Sequence, residues 1–258
     1  IPARVLSRAA AYAEWRTQPL GLIPDFQDLD LPLAREICAK ALSQRGAGWL
    51  TAEETRIVLT AMGLPVQPGG VAQTEDDAVE LARRVGFPVA VKLASYRLVH
   101  KTEIGGVRLS LKEEGAFRQA FREIRDRLAQ DNNLDAMEGV LVQPMVTGGV
   151  EVMVGVTHDP LFGPLIAFGL GGIHVEILGD VRFRVTPLTD RDAAEMVREI
   201  KGYQLLEGYR GHQPADVEAI QEVLLRVSRL VEAIPEISEL DLNPIFALPP
   251  GQGCRIVD

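Results

Sequence analysis

The chain has little cysteine, little histidine and no long apolar run, and each shortage removes a class of function. Its two cysteines, Cys38 and Cys254, lie far apart and lack metal-ligand spacing. They give no basis for a disulfide framework and point to a reduced, cytoplasmic compartment. The four histidines, His100, His158, His174 and His212, are scattered and form no H-x-x-x-H pair. No apolar stretch approaches the roughly 18 residues that cross a bilayer. Positive charge is also in the minority, with 27 Lys and Arg against 36 Asp and Glu and a net charge of -9. A broad basic surface for a nucleic-acid backbone is therefore excluded, although a local pocket with a metal ion still suits an anionic nucleotide. A P-loop, a G-x-S-x-G elbow and the G-x-G-x-x-G dinucleotide fingerprint are all missing. The first residues, Ile1-Pro2-Ala3-Arg4, are neither an initiator methionine nor a secretory signal, and Arg255 to Asp258 reads as a strand in mid-course. The sequence reads as a piece of a longer chain.

What is there is an ordinary globular composition, 47% hydrophobic over 258 residues, enough for one large or two small domains. Residues 1–50 read as a helical linker: an Ala/Arg-rich helix to about Arg16, a stretch punctuated by Pro19, Pro24 and Pro32, and a helix over Ala34 to Gln44. Thr51-x-x-Glu54 is a capping box that opens a helix closing at Gly63. A strand is expected to begin at Leu64-Pro65-Val66, and Thr74-x-x-Asp77 to open a helix ending at Gly86. Phe87 to Leu93 suits a buried strand, Val107 to Leu111 alternates, and residues 113–129 have amphipathic helical spacing. From Gly139 strands dominate, at Val140 to Val142, Glu151 to Thr157 and Leu165 to Phe168. Two more helices follow, from Thr189-x-x-Asp192 and from Pro214 to about Ile234, and then strands over Glu239 to Phe246 and from Arg255. The mixture has no strict βαβ rhythm, which predicts an α+β fold with antiparallel sheet.

Four segments could carry chemistry. Lys92 closes an apolar strand, where its ammonium can be turned into a cleft, and a polar loop with His100 and Lys101 leads to Gly105-Gly106. An ordinary hairpin with a solvated loop has the same pattern, and a lone His100 reads as a surface residue. Gly169-Leu170-Gly171-Gly172-Ile173-His174-Val175-Glu176 follows an apolar strand and suits either a close backbone approach to an anion or a tight turn. In Glu239-Leu240-Asp241-Leu242-Asn243-Pro244 the strand period puts Asp241 and Asn243 on one face, a pair of oxygens fit for Mg²⁺, with Asp258 a further donor. The alternative there is a strand end where Asn-Pro starts a turn. Val142-Gln143-Pro144-Met145-Val146, before Glu151, is an extended segment that could border an adenine ring.

From about Thr51 onward these blocks together resemble the nucleotide-binding portion of ADP-forming (NDP-forming) acyl-CoA synthetases, an ATP-grasp family related to the succinyl-CoA synthetase β subunit. The blocks are Gly86 to Lys92, His100-Lys101-Thr102-Glu103-Ile104-Gly105-Gly106-Val107, Phe162-Gly163-Pro164, Phe168 to Gly172, Leu206 to Gly211 and Glu239 to Pro244. The resemblance implies an ATP-grasp fold over residues 51–258, two α+β subdomains gripping ATP, with a lid at about 67–138. It implies ATP/ADP and Mg²⁺ as cofactors, and CoA-binding and CoA-ligase domains as partners in the same chain or in an α subunit. It makes His100 the phosphate-carrying nucleophile, with Asp241 either orienting or polarising His100 or helping to hold the metal. It assigns Lys92 and Lys101 to phosphates, Gln143 and Met145 to adenine, Glu151 to the ribose, and Asn243 and Asp258 to Mg²⁺. The loop reads Ser95-Tyr96-Arg97 where these proteins commonly have a Ser-Pro pair. A rival reading is a catalytically reduced, nucleotide-sensing module, since related ATP-grasp regions are fused to acetyltransferase domains, and a third is carboxylate–amine ligation, which shares the fold and needs no phosphorylated histidine.

Overall fold

Three threonines fix the first turns of the helices that frame the molecule. Thr51 caps α3 (Ala52–Ala61; α1 is Pro2–Thr17 and α2 Leu31–Arg45), and Thr74 caps α4 (Glu75–Val85). After α5 (Glu114–Gln130), Thr189 caps α6 (Asp190–Arg198). At Thr51 the box is complete: its hydroxyl accepts from the Glu54 amide at 3.2 Å and Glu54 accepts from the Thr51 amide at 2.8 Å. Thr51→Ala is expected to cost about 1 kcal/mol, read as a lower urea midpoint at unchanged slope. An unchanged midpoint would show that the cap contributes nothing here.

The computed structural model describes residues 2–17, 19–172, 179–209, 211 and 213–258. Its helices and two antiparallel sheets form the α+β architecture that the sequence predicts. The smaller sheet holds β1 (Gly70–Ala72), β2 (Val89–Ala94), β3 (Val107–Leu111) and β4 (Gly139–Pro144) in the order β1-β4-β2-β3, antiparallel throughout. Val89, Val91 and Leu93 of β2 and Val140 and Val142 of β4 join Ala78, Val79, Phe117 and Ile124 of α4 and α5 in one core. The strand period that points these valines at the helices sends Ala90 and Lys92 to the opposite face. That face is covered as well, because every β2 residue is buried.

The larger sheet holds β5 (Val150–Asp159), β6 (Gly163–Leu170), β7 (Val181–Val185), β8 (Leu240–Ala247) and β9 (Cys254–Ile256) in the order β7-β6-β5-β8-β9, with antiparallel ladders. Its core takes in Ile166, Phe168, Met196 of α6, and Leu224 and Val227 of α8 (Val217–Ala233; the one-turn α7 is Tyr203–Leu206). Ala34 and Cys38 of α2 and Val58 and Leu59 of α3 belong to this second core. The chain ahead of α2 is fastened by Arg226, whose guanidinium donates to Asp28 at 2.9 and 3.2 Å and lies over the Phe26 ring at 4.4 Å. Gly63 is required beside it, since a Cβ there would stand 2.2 Å from the guanidinium.

Two local readings change. The strand expected from Leu64 shrinks to an isolated parallel bridge between Val66 and Ile256, and regular pairing starts only at Gly70. Pro65 and Pro68 have no N–H to give a ladder. β7 is additional; its Val-Arg-Phe-Arg-Val alternation carried the strand signal, although its apolar residues Phe183 and Val185 face outward. Among the described residues no helix is long and apolar enough to cross a membrane.

Candidate functional site

Lys92 is the deepest charge in the cleft between the sheets, 5% exposed. Its Nζ donates to the Val257 carbonyl at 2.5 Å and lies 3.7 Å from an Asp258 oxygen. Burial pushes its pKa below the usual lysine value, and the Asp258 carboxylate only partly opposes that. The same carboxylate receives Lys101 Nζ at 2.6 Å. One anion thus holds two cations from different parts of the smaller subdomain: one within β2 and one in the loop after it.

Gln143 shares the Lys92 face, since Ala90 pairs with Gln143 and Lys92 with Leu141 across β2 and β4. It is 5% exposed, and its Oε1 has no hydrogen-bond partner. A buried amide oxygen left open is costly and fits a site where a ligand supplies the donor, such as the amino group of a base. Met145 follows it; its amide is committed to the Pro88 carbonyl at 3.0 Å and its Sδ accepts from the Ser110 amide at 3.4 Å. Gln67, 7% exposed, closes this corner by donating to the Pro144 carbonyl at 2.9 Å.

The opposite wall is β8. Asp241 and Asn243 are exposed on either side of buried Leu242, so they share a face, and the Asn243 amide donates to the Asp258 carbonyl at 3.2 Å. Although the Asp241 side chain reaches water, crowding by protein raises its pKa; the Asp258 charge adds to the rise and His100 opposes it. Asp258 and His100 therefore both lie within electrostatic reach of Asp241. Asp258 itself sits two residues beyond the end of β9. Among the described residues no three His, Cys, Asp or Glu side chains are placed to ligate a metal. Mg²⁺ needs fewer, because it combines one or two carboxylates with phosphate oxygens and water. The oxygen donors of Asp241, Asn243 and Asp258 fit that chemistry.

His100 is exposed in the segment between β2 and β3. Glu151 is the second residue of β5 in the larger sheet, where the glycine loop crosses it. The Gly171 amide donates to the Glu151 carbonyl at 2.8 Å, and a Cβ at Gly172, where φ is +61°, would stand 2.7 Å from Glu151 Oε2. This close crossing accounts for the glycines at 171 and 172. The rest of that motif, Ile173 to Glu176, and Arg210 of the 206–211 block lie outside the described residues.

The structure thus brings Lys92, Lys101, Asp241, Asn243, Asp258 and the His100 loop together, with Gln143 on the Lys92 face. Glu151 stands under the glycine loop and Met145 one residue past β4. Sequence reasoning missed Gln67 and the Val257 carbonyl. A glutamine between prolines gives no signal of its own, and a backbone acceptor gives none at all.

Residues 40–258 match the model of the ATP-grasp domain family. The β subunit of acetate–CoA ligase (ADP-forming) I of Pyrococcus furiosus is 44% identical over 215 residues, 83% of this chain and 91% of that one. Acetate–CoA ligase (ADP-forming) I of Archaeoglobus fulgidus is 44% identical over 227 residues, 87% of this chain but 33% of the relative. The chain therefore spans about a third of the length of that relative. Among solved structures, acetyl-coenzyme A synthetase 1 of Ca. Korarchaeum cryptofilum superposes with a TM-score of 0.74 at 39% identity, covering 87% of this chain and 97% of that one. That protein was captured with coenzyme A and Mg-AMPPCP, its phosphohistidine segment pointing towards the nucleotide binding site.

Proposed function

This chain belongs to the ATP-grasp domain family, and on that premise we propose that it is the nucleotide-binding, phosphoryl-transfer domain of a cytoplasmic ADP-forming acyl-CoA synthetase. The overall reaction interconverts acyl-CoA, ADP and phosphate with acid, CoA and ATP. The observation that carries the reading is the meeting of Lys92, Lys101 and Asp258 beside Asp241 and the His100 loop.

Residues 51–258 make up the ATP-grasp domain, with residues 67–138 as the lid. Lys92 neutralises phosphate oxygens, which are stronger anionic partners than the carbonyl it holds without nucleotide, and Lys101 adds its positive charge beside them while still paired with Asp258. Gln143 and Met145 border adenine and Glu151 the ribose. Asn243 and Asp258 would hold Mg²⁺, which when bound would neutralise charge on the phosphates. Asp241 orients the His100 imidazole. A ring nitrogen of His100 gives its lone pair to the γ-phosphorus as the bond to the β–γ bridging oxygen breaks, and that electron pair leaves on ADP. The loop then delivers the phosphoryl group to CoA-binding and CoA-ligase domains, carried on the same chain or on an α subunit.

Incubation with γ-labelled ATP and Mg²⁺, with the CoA-ligase portion supplied, is expected to place an acid-labile, base-stable label on the chain. Nucleotide binding without any such label would overturn the relay and favour a nucleotide sensor.

A further inference from the structure

The segment joining β2 to β3 is anchored in three places. At its start, Ser95 Oγ accepts from the Arg97 and Leu98 amides at 3.2 and 3.1 Å, and Arg97 reaches Asp135 at 2.7 Å. The Tyr96 ring lies 5.3 Å from the Arg45 guanidinium, which Glu54 holds in turn. At its end, the Gly105 amide donates to Thr102 at 3.0 Å and the Gly106 amide to Lys101 at 2.7 Å, while Leu98 and Ile104 rest on the smaller core. These two anchors lie within, or next to, the fixed ends of the loop. The third, Lys101 to Asp258 at 2.6 Å, ties the middle of the segment to the far wall of the cleft.

We propose that Lys101 is a positioning residue: its ion pair with Asp258 latches the His100 segment against the nucleotide side, and phosphorylation of His100 releases the latch. The release half rests on the reading of His100 as the phosphate carrier. Before transfer, an ammonium and a carboxylate attract across the cleft. Transfer puts roughly 1.5 to 2 negative charges on the residue next to Lys101. The new phosphoryl oxygens are a closer and stronger partner for that ammonium than Asp258. The same charge also falls within electrostatic reach of Asp241, a like charge. One covalent event therefore removes the attraction and supplies repulsion, and no separate signal is needed to start the loop moving.

The test is amide hydrogen exchange of residues 98–106 in the whole chain, on wild type, Lys101→Gln and Lys101→Arg, without nucleotide. Lys101→Gln is expected to exchange about tenfold faster at the Ile104, Gly105 and Gly106 amides, and Lys101→Arg within about threefold of wild type. Treating wild type with phosphoramidate, which phosphorylates imidazole without ATP, is expected to bring its exchange up to that of Lys101→Gln. Wild-type protection in Lys101→Gln, or equal opening in Lys101→Arg and Lys101→Gln, would overturn the latch. Phosphorylated His100 with unchanged exchange overturns the release. Because no arm uses ATP, failure of the latch and failure of the proposed ATP reaction are read separately.

Discussion

His100→Ala is expected to lower transfer of label from γ-labelled ATP onto the chain by about 10⁴-fold or more. The imidazole is the only group in the proposed reaction that forms a bond to phosphorus, so its removal deletes the step instead of weakening it. The rest of the machinery stays. Lys92, Asp258 and Asn243 are held by contacts that do not involve His100: the Val257 carbonyl, the two ammonium groups and the backbone of the C-terminal residues. The affinity for Mg·ADP, by calorimetry, is therefore expected to stay within about threefold of wild type. Label that persists in His100→Ala would mean another nucleophile. A parallel loss of nucleotide affinity would mean that His100 serves binding instead.

The second large effect is expected at Lys92→Met. The substitution keeps the length of the side chain and deletes a cation buried at 5% exposure. With no ammonium under the phosphates, nucleotide affinity is expected to fall about 10²- to 10³-fold. Stability should respond quite differently. Replacing a buried charge by an apolar side chain of similar shape is often neutral or stabilising, which offsets the lost donor to the Val257 carbonyl. The pH dependence separates the two roles. Burial lowers the Lys92 pKa in the folded protein below its ordinary value of 10.5. Between the lowered and the ordinary value the unfolded chain binds more protons, so wild-type stability gains with rising pH in that window. Lys92→Met should lose that gain, measured as urea midpoints at several alkaline pH values. Wild-type affinity in this variant would remove Lys92 from the nucleotide site.

What could be read from the sequence was what is local. Thr51, Thr74 and Thr189 stand three residues ahead of an acidic partner, and each caps a helix as expected. The period of two on β8 put Asp241 and Asn243 on one face, and the apolar run around Lys92 gave a strand with a buried ammonium, although that strand runs on past Lys92 to Ala94. What could not be read was set by neighbours distant in sequence. Lys92 meets Val257 across 165 residues and Lys101 meets Asp258 across 157. Neither partner has a local signature. Val66 looked like the start of a strand but found only Ile256 to pair with, because prolines on both sides deny the ladder its donors. Residues 1–50 looked like a tether, yet Ala34 and Cys38 sit in the larger core. Their short apolar spacing gave no hint of what would cover them.

The strand order of the larger sheet also has a consequence in time. β8 lies between β5 and β9, so the sheet is closed by strands made long after β5, β6 and β7. The smaller sheet, by contrast, draws all its strands from residues 70–144 and can pair as soon as that stretch exists. During synthesis the smaller sheet is therefore a finished unit waiting beside an open one, whose unpaired β5 edge stays available to wrong partners until β8 arrives. The Val257 carbonyl and the Asp258 carboxylate come after it, so the charge centre of the cleft is assembled last. A chain that stalls before them would have its smaller sheet built and neither partner for the Lys92 and Lys101 ammonium groups.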